Sequence, residues 1–126
     1  MTENTKKNRP ESLLRAEDKA FFETLINTPS PTGFEYTGQK VWLDYIRPFV
    51  DEVFVDTYGT AVATINPGKS YSVVIEAHCD EISWFVNYIT DDGLIYVIRN
   101  GGSDHHIAPS KKVVLHGKHG PVDGVF

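Results

Sequence analysis

The sequence holds a single cysteine, Cys79, among its 126 residues. No internal disulfide can form, which excludes a scaffold stapled by cross-links and fits a reducing compartment. The cytoplasm is the expected location. No apolar run approaches the ~18 residues of a membrane-spanning helix, so no membrane partner is expected. Residues 1–10 are polar and lack the apolar stretch of a secretory signal; they read as a flexible tail. Basic residues are outnumbered, 12 against 17 acidic ones, for a net charge of −5. Apart from Lys6-Lys7 and Lys111-Lys112 the bases are scattered. Such a chain gains nothing from a phosphate backbone, so no nucleic-acid partner is expected. Gly59, Gly68 and Gly93 sit in turn contexts, and none belongs to a G-x-G-x-x-G or Walker pattern. Internal repeats and low-complexity stretches are also lacking.

What remains is an ordinary globular composition, 40% hydrophobic and 23% charged, at the size of one domain with a modest core. Leu14, Phe21 and Leu25, with Leu13 and Ala20 beside them, recur at helical spacing. Pro10 and Ser12 are start signals, and the helix is expected to stop before Thr28-Pro29, where pre-proline sterics disfavour helical geometry. Thr32 and Glu35 have the spacing of a capping box. A second helix is therefore predicted, with Val41, Trp42, Tyr45, Ile46 and Phe49 on one face and Pro48 ending it.

From Asp51 the period changes to two. Val53 and Val55 alternate with Phe54, Tyr58-Gly59 marks a turn, and Ala61–Ile65 is a second strand. Asn66-Pro67-Gly68 is a further turn. Tyr71–Ala77 is expected as a third strand, and its continuous run Val73-Val74-Ile75 suits a strand covered on both faces. Ile82–Ile89 and Leu94–Ile98 flank a hairpin turn at Asp91-Asp92-Gly93. After Gly101-Gly102 a loop runs to Pro109. Val113–Leu115 and Val122–Phe126 read as short strands. The last residues end on an apolar Gly-Val-Phe, which reads as an unfinished strand edge.

The chemistry concentrates in Ala77-His78-Cys79-Asp80-Glu81, just after the expected buried strand. Ligands in α/β sheets collect at the carboxyl ends of strands. A histidine there offers a neutral ring nitrogen to a metal. Asp80 lies on the same side of an extended chain as His78 and can accept the other ring N–H, fixing the tautomer. Glu81 points elsewhere. One histidine is one ligand, whereas stable zinc sites need three or four. Cys79 is read as a small buried filler, and Trp42 and Trp84 as core or interface residues. His105-His106 reads as a solvated loop, and His116 and His119 as exposed turn residues. Asp80-Glu81 would diverge on a strand, which argues against a facing carboxylate pair for glycoside chemistry.

Several segments resemble one family. Thr28-Pro29-Ser30-Pro31-Thr32-Gly33-Phe34-Glu35 resembles its P-x-P-S/T-G-[FY]-E loop. Asp56-Thr57-Tyr58-Gly59-Thr60 is similar to its D-x-x-G-N segment, and Ala77-His78-Cys79-Asp80-Glu81-Ile82 to its A-H-M-D-E-I motif. Tyr88–Leu94 and Gly101-Gly102-Ser103-Asp104 resemble the hairpin and the G-G-W-D loop that follow. The family is the glutamyl and deblocking aminopeptidases, metallopeptidase family 42, whose members include the TET peptidases. The resemblance runs from about Leu14 to the end, with the motifs in order.

It implies a dinuclear metal exopeptidase. His78 would be a metal ligand and Asp80 the catalytic residue that orients it. Two divalent ions, zinc or cobalt, would share the hydroxide that attacks the peptide carbonyl, with a Glu as general base. Peptides would be the substrates, and the full-length protein a homo-oligomer. The resemblance further implies an α/β fold: residues 1–82 as the first segment of a zinc-exopeptidase-like helix-and-sheet domain, and 83–126 as the start of an inserted, barrel-like β domain used for dimerisation. The family's remaining ligands and base lie further along a longer chain, so this chain alone is expected to be inactive. Cys79 for Met, Ser83-Trp84 for Gly-Phe and Ser103 for Trp are departures that remove no ligand. A non-catalytic assembly or binding module that keeps only the first segment of the fold is the alternative expectation.

Overall fold

Two helices form where the apolar periodicity places them: α1 over Ala16–Ile26 and α2 over Tyr36–Ile46. The computed structural model of the protein describes residues 14–126; Pro10, Ser12, Leu13 and the polar stretch 1–10 lie outside the described residues. At the start of α1 the Arg15 amide donates to Asp18 Oδ2 at 3.2 Å, satisfying one backbone group that the helix leaves open. The helix stops at Ile26, ahead of Thr28-Pro29 as pre-proline sterics require. Phe21 of α1 stacks on Tyr45 of α2 with ring centroids 3.8 Å apart.

Two details of α2 differ from expectation. The capping box at Thr32 and Glu35 does not form. Glu35 is itself the residue that caps α2, already at helical angles (φ −79°, ψ −5°), and makes no side-chain cap bond. The helix thus enters three residues later than that spacing needs. At the other end α-helical geometry stops at Ile46, and the chain passes through Pro48 in a 3-10 turn, Arg47–Phe49. A proline is tolerated there because the first turn needs no amide donor.

Leu14–Ser30 and Phe34–Cys79 make one compact unit; Pro31–Gly33 and Asp80–Phe126 make a second. In the first, β1 (Glu52–Val55) and β2 (Ala61–Thr64) pair antiparallel, with Glu52 opposite Thr64 and Val55 opposite Ala61. Asp56 closes this hairpin: its Oδ1 accepts from the amides of Tyr58 at 2.9 Å and Thr60 at 2.8 Å. Those bonds, the Thr60 amide foremost, hold its carboxyl below the usual range. Gly59 takes φ +90°, which a side chain would resist. The Asp-Thr-Tyr-Gly-Thr segment is therefore a turn built for geometry.

The expected third strand is corrected. Tyr71–Ala77 carries no strand pairing among the described residues, and Val73, Val74 and Ile75 are 73%, 82% and 94% exposed. The described ladders are β1 with β2, β3 with β4 and β5 with β6, so no described strand pairs with this stretch.

In the second unit β3 (Ser83–Ile89) and β4 (Ile95–Asn100) form an antiparallel hairpin around the Thr90–Leu94 turn, with an irregularity between Val86 and Tyr88. β5 (Lys112–Gly117) and β6 (Gly120–Val125) form another. Trp84 on β3 meets Phe126 edge-on at 4.8 Å. The helix-and-sheet expectation is met as helices and strands, but the described ladders are three antiparallel pairs and one isolated parallel bridge between Pro31 and Glu81.

The expected core is also corrected. Among the described residues no apolar side chain is fully buried; the buried residues are Ser30, Gly38 and Ser103. A two-stranded ladder has too little area to cover its own apolar faces, so Phe85, Tyr88, Leu94, Tyr96 and Ile98 remain exposed. No described helix is long and apolar enough to cross a membrane.

Candidate functional site

His78 and Cys79 follow the unpaired stretch Tyr71–Ala77, and both are exposed. This corrects the reading of Cys79 as a buried filler: its side chain is exposed. Asp80 opens the second unit and is half-buried. Its Oδ2 accepts a hydrogen bond from the Thr32 hydroxyl at 2.7 Å, from a residue 48 positions earlier.

Thr32 is held on three sides. Its amide donates to the Glu81 carbonyl at 3.2 Å. Its own carbonyl accepts from Asn100 Nδ2 at 2.7 Å. The parallel bridge at Pro31 and Glu81 aligns the two segments. The hydroxyl also lies 3.2 Å from the Glu81 carbonyl. It has one proton to donate, and the shorter bond to a charged carboxylate is the stronger. Gly33, at φ +87°, lets the chain leave immediately after Thr32. Asn100 Nδ2 also reaches Ser83 Oγ at 3.0 Å, so the Ser83 hydroxyl anchors the amide that holds Thr32.

Sequence reasoning placed Thr32 at a helix start and passed over Asn100. No local signal reveals either, since the partners are 48 and 68 residues away. The Pro-Ser-Pro-Thr-Gly loop marked the neighbourhood only. Glu81 contributes its backbone carbonyl to this cluster.

The other histidines lie elsewhere. Asp104 accepts from the His106 amide at 2.9 Å and lies 2.8 Å from His106 Nδ1. These contacts, the amide first, hold the Asp104 carboxyl below its usual range. His105, His106, His116 and His119 are exposed, as expected. Among the described residues no group of three or more His, Cys, Asp or Glu side chains could hold a metal ion. His78 fits one position of such a site, being an imidazole on an exposed stretch that an ion can reach. The other donors of a complete site are not among the described residues.

The sequence profile of the M42 glutamyl aminopeptidases matches residues 59–126. A lysyl aminopeptidase of Pyrococcus furiosus is 31% identical over 86 residues, covering 68% of this chain and 25% of its own length. The crystal structure of a TET aminopeptidase from a marine-sediment Thaumarchaeota archaeon matches with a TM-score of 0.81 at 25% identity, over 85% of this chain and 30% of that one. An aminopeptidase from Desulfurococcus kamchatkensis matches at 0.78 and 28% identity, over 84% and 30%. The chain thus spans about a quarter to a third of the proteins it matches.

Proposed function

The chain belongs to the M42 glutamyl aminopeptidase family, and from that premise we propose that it works as part of a metal-dependent aminopeptidase releasing N-terminal residues from peptides. The observation that carries this reading is the family match itself, which spans His78 and Asp80. In the proposed site His78 is a metal ligand. Asp80 accepts its second ring N–H, which selects the tautomer that leaves a lone pair for the ion. Two divalent ions, zinc or cobalt, bound there supply Lewis-acid chemistry to peptide hydrolysis. His78 alone cannot hold them, so the 126-residue chain by itself is inactive in this reading.

Residues 1–82 belong to the catalytic domain in this proposal, and 83–126 to an inserted, barrel-like β domain through which copies associate. The exposed apolar side chains of β3 and β4 support an associating role. A cytoplasmic setting, expected from the lone Cys79, is part of the same reading. Those uncovered apolar faces also favour a second reading, in which this chain is a non-catalytic assembly module that pairs through its strands.

The two readings separate on the protein expressed from its complete gene. Hydrolysis of aminoacyl anilides and metal content are measured for wild type and His78→Ala. The enzyme reading expects turnover with bound zinc or cobalt, and a loss of at least ~100-fold in His78→Ala alongside lower metal content. No turnover and no metal in the wild type would give the module reading.

A further inference from the structure

We propose that Thr32 is a positioning residue for Asp80: its hydroxyl sets the orientation in which that carboxylate meets the His78 imidazole. This rests on the reading of His78 as a metal ligand and Asp80 as its partner. An aspartate carboxylate turns about two side-chain bonds, and the second has only broad, two-fold preferences. A carboxylate that must meet one ring N–H in one direction therefore needs an external restraint. The Thr32 Oγ1 to Asp80 Oδ2 bond at 2.7 Å is such a restraint.

The restraint is itself rigid. Threonine is branched at Cβ and stiff about χ1. The Thr32 backbone is pinned by the Glu81 carbonyl on its amide side and by the Asn100 side chain on its carbonyl side. Ser83 in turn receives the same Asn100 amide. The half-buried setting of Asp80 limits competition from water. The donor chemistry matters too. A lysine or arginine at this position would fix the carboxylate but also neutralise it. A neutral hydroxyl fixes the orientation and leaves the negative charge to raise the basicity of the imidazole. Thr32 is thus one step removed from the metal, acting on the residue that acts on the ligand.

The test uses the protein expressed from its complete gene. Zinc affinity is read by competition with a chelator, and the melting temperature of the metal-free protein is read beside it. The variants are Thr32→Val, which keeps the shape and removes the hydroxyl, Thr32→Ser, which keeps the hydroxyl, and His78→Ala as reference. Thr32→Val is expected to bind zinc ~10-fold more weakly, with Thr32→Ser close to wild type and His78→Ala weaker than both. Should Thr32→Val fail to fold, Thr32→Ala takes its place with the same expectation. Zinc affinity unchanged in Thr32→Val, even with a lower melting temperature, would make Thr32 a structural pin and overturn the proposal. So would a Thr32→Ser protein as weak as Thr32→Val. If His78→Ala binds zinc like wild type, the ligand reading falls and this inference with it. If His78→Ala loses zinc and Thr32→Val does not, only the inference falls.

Discussion

Gly38 on α2 lies so close to Ser30 that a Cβ added to it would sit 1.9 Å from Ser30 Oγ and 3.1 Å from Ser30 Cβ. Helix propensity alone favours alanine over glycine by about 1 kcal/mol. The contact reverses that sign, because Ser30 is among the most buried residues described, at 4% exposure, and its Oγ and Cβ both lie against the added carbon.

Gly38→Ala is therefore expected to destabilise the protein by about 1–3 kcal/mol in urea unfolding. Adding Ser30→Ala removes the 1.9 Å clash but not the 3.1 Å one. The double variant is expected to recover part of the loss, a coupling that a double-mutant cycle measures. A Gly38→Ala protein more stable than wild type would show that the Ser30 contact yields.

Asp18 joins the start of α1 to α2. Arg15 donates to it from Nε at 2.9 Å and Nη2 at 2.7 Å, and the Tyr45 hydroxyl donates as well. The Arg15 bonds first, then the Tyr45 bond, hold its carboxyl well below the ordinary carboxylate range. The folded value lies below the unfolded one of about 3.9. The contribution is thus fully present above about pH 4 and is lost as pH falls through the folded value. The stability gap between wild type and Asp18→Asn is expected to be widest near neutral pH and to narrow steadily below pH 4. Molar salt should narrow it too, since the pair is near the surface. A gap constant from pH 7 to pH 2 would count against this account.

Val74 sits in the unpaired stretch with 82% of its surface open. In the 126-residue chain Val74→Asp is expected to change stability by no more than about 0.5 kcal/mol. The amides of residues 73–76 should exchange with solvent almost as fast as in an unfolded chain. A cost of several kcal/mol, or slow exchange, would restore the covered strand that the apolar run suggested.

Much of the local structure was legible because its causes are local. Helical spacing around Phe21 and Leu25, the proline after Thr28, and the glycines at 59 and 93 act within a few residues, so α1 and two of the hairpins follow from them. The motif around His78 and Asp80 was likewise visible as a string of residue types. The covered strand at Tyr71–Ala77 failed for the opposite reason. An apolar run states that a segment can be buried, but burial requires a neighbour, and no described strand pairs with it.

The sequence by itself determined the two helices, the paired strands with their turns, the family and the two residues proposed for metal chemistry, because each is set by side chains within one turn or one motif. Only the tertiary structure decided that Thr32 donates to Asp80 and does not cap a helix, that Asn100 and Ser83 stand behind Thr32, and that Gly38 lies against Ser30. Each of those depends on atoms brought together from distant parts of the chain, and hydroxyl direction and Cβ clearance leave no periodic trace in the order of residues.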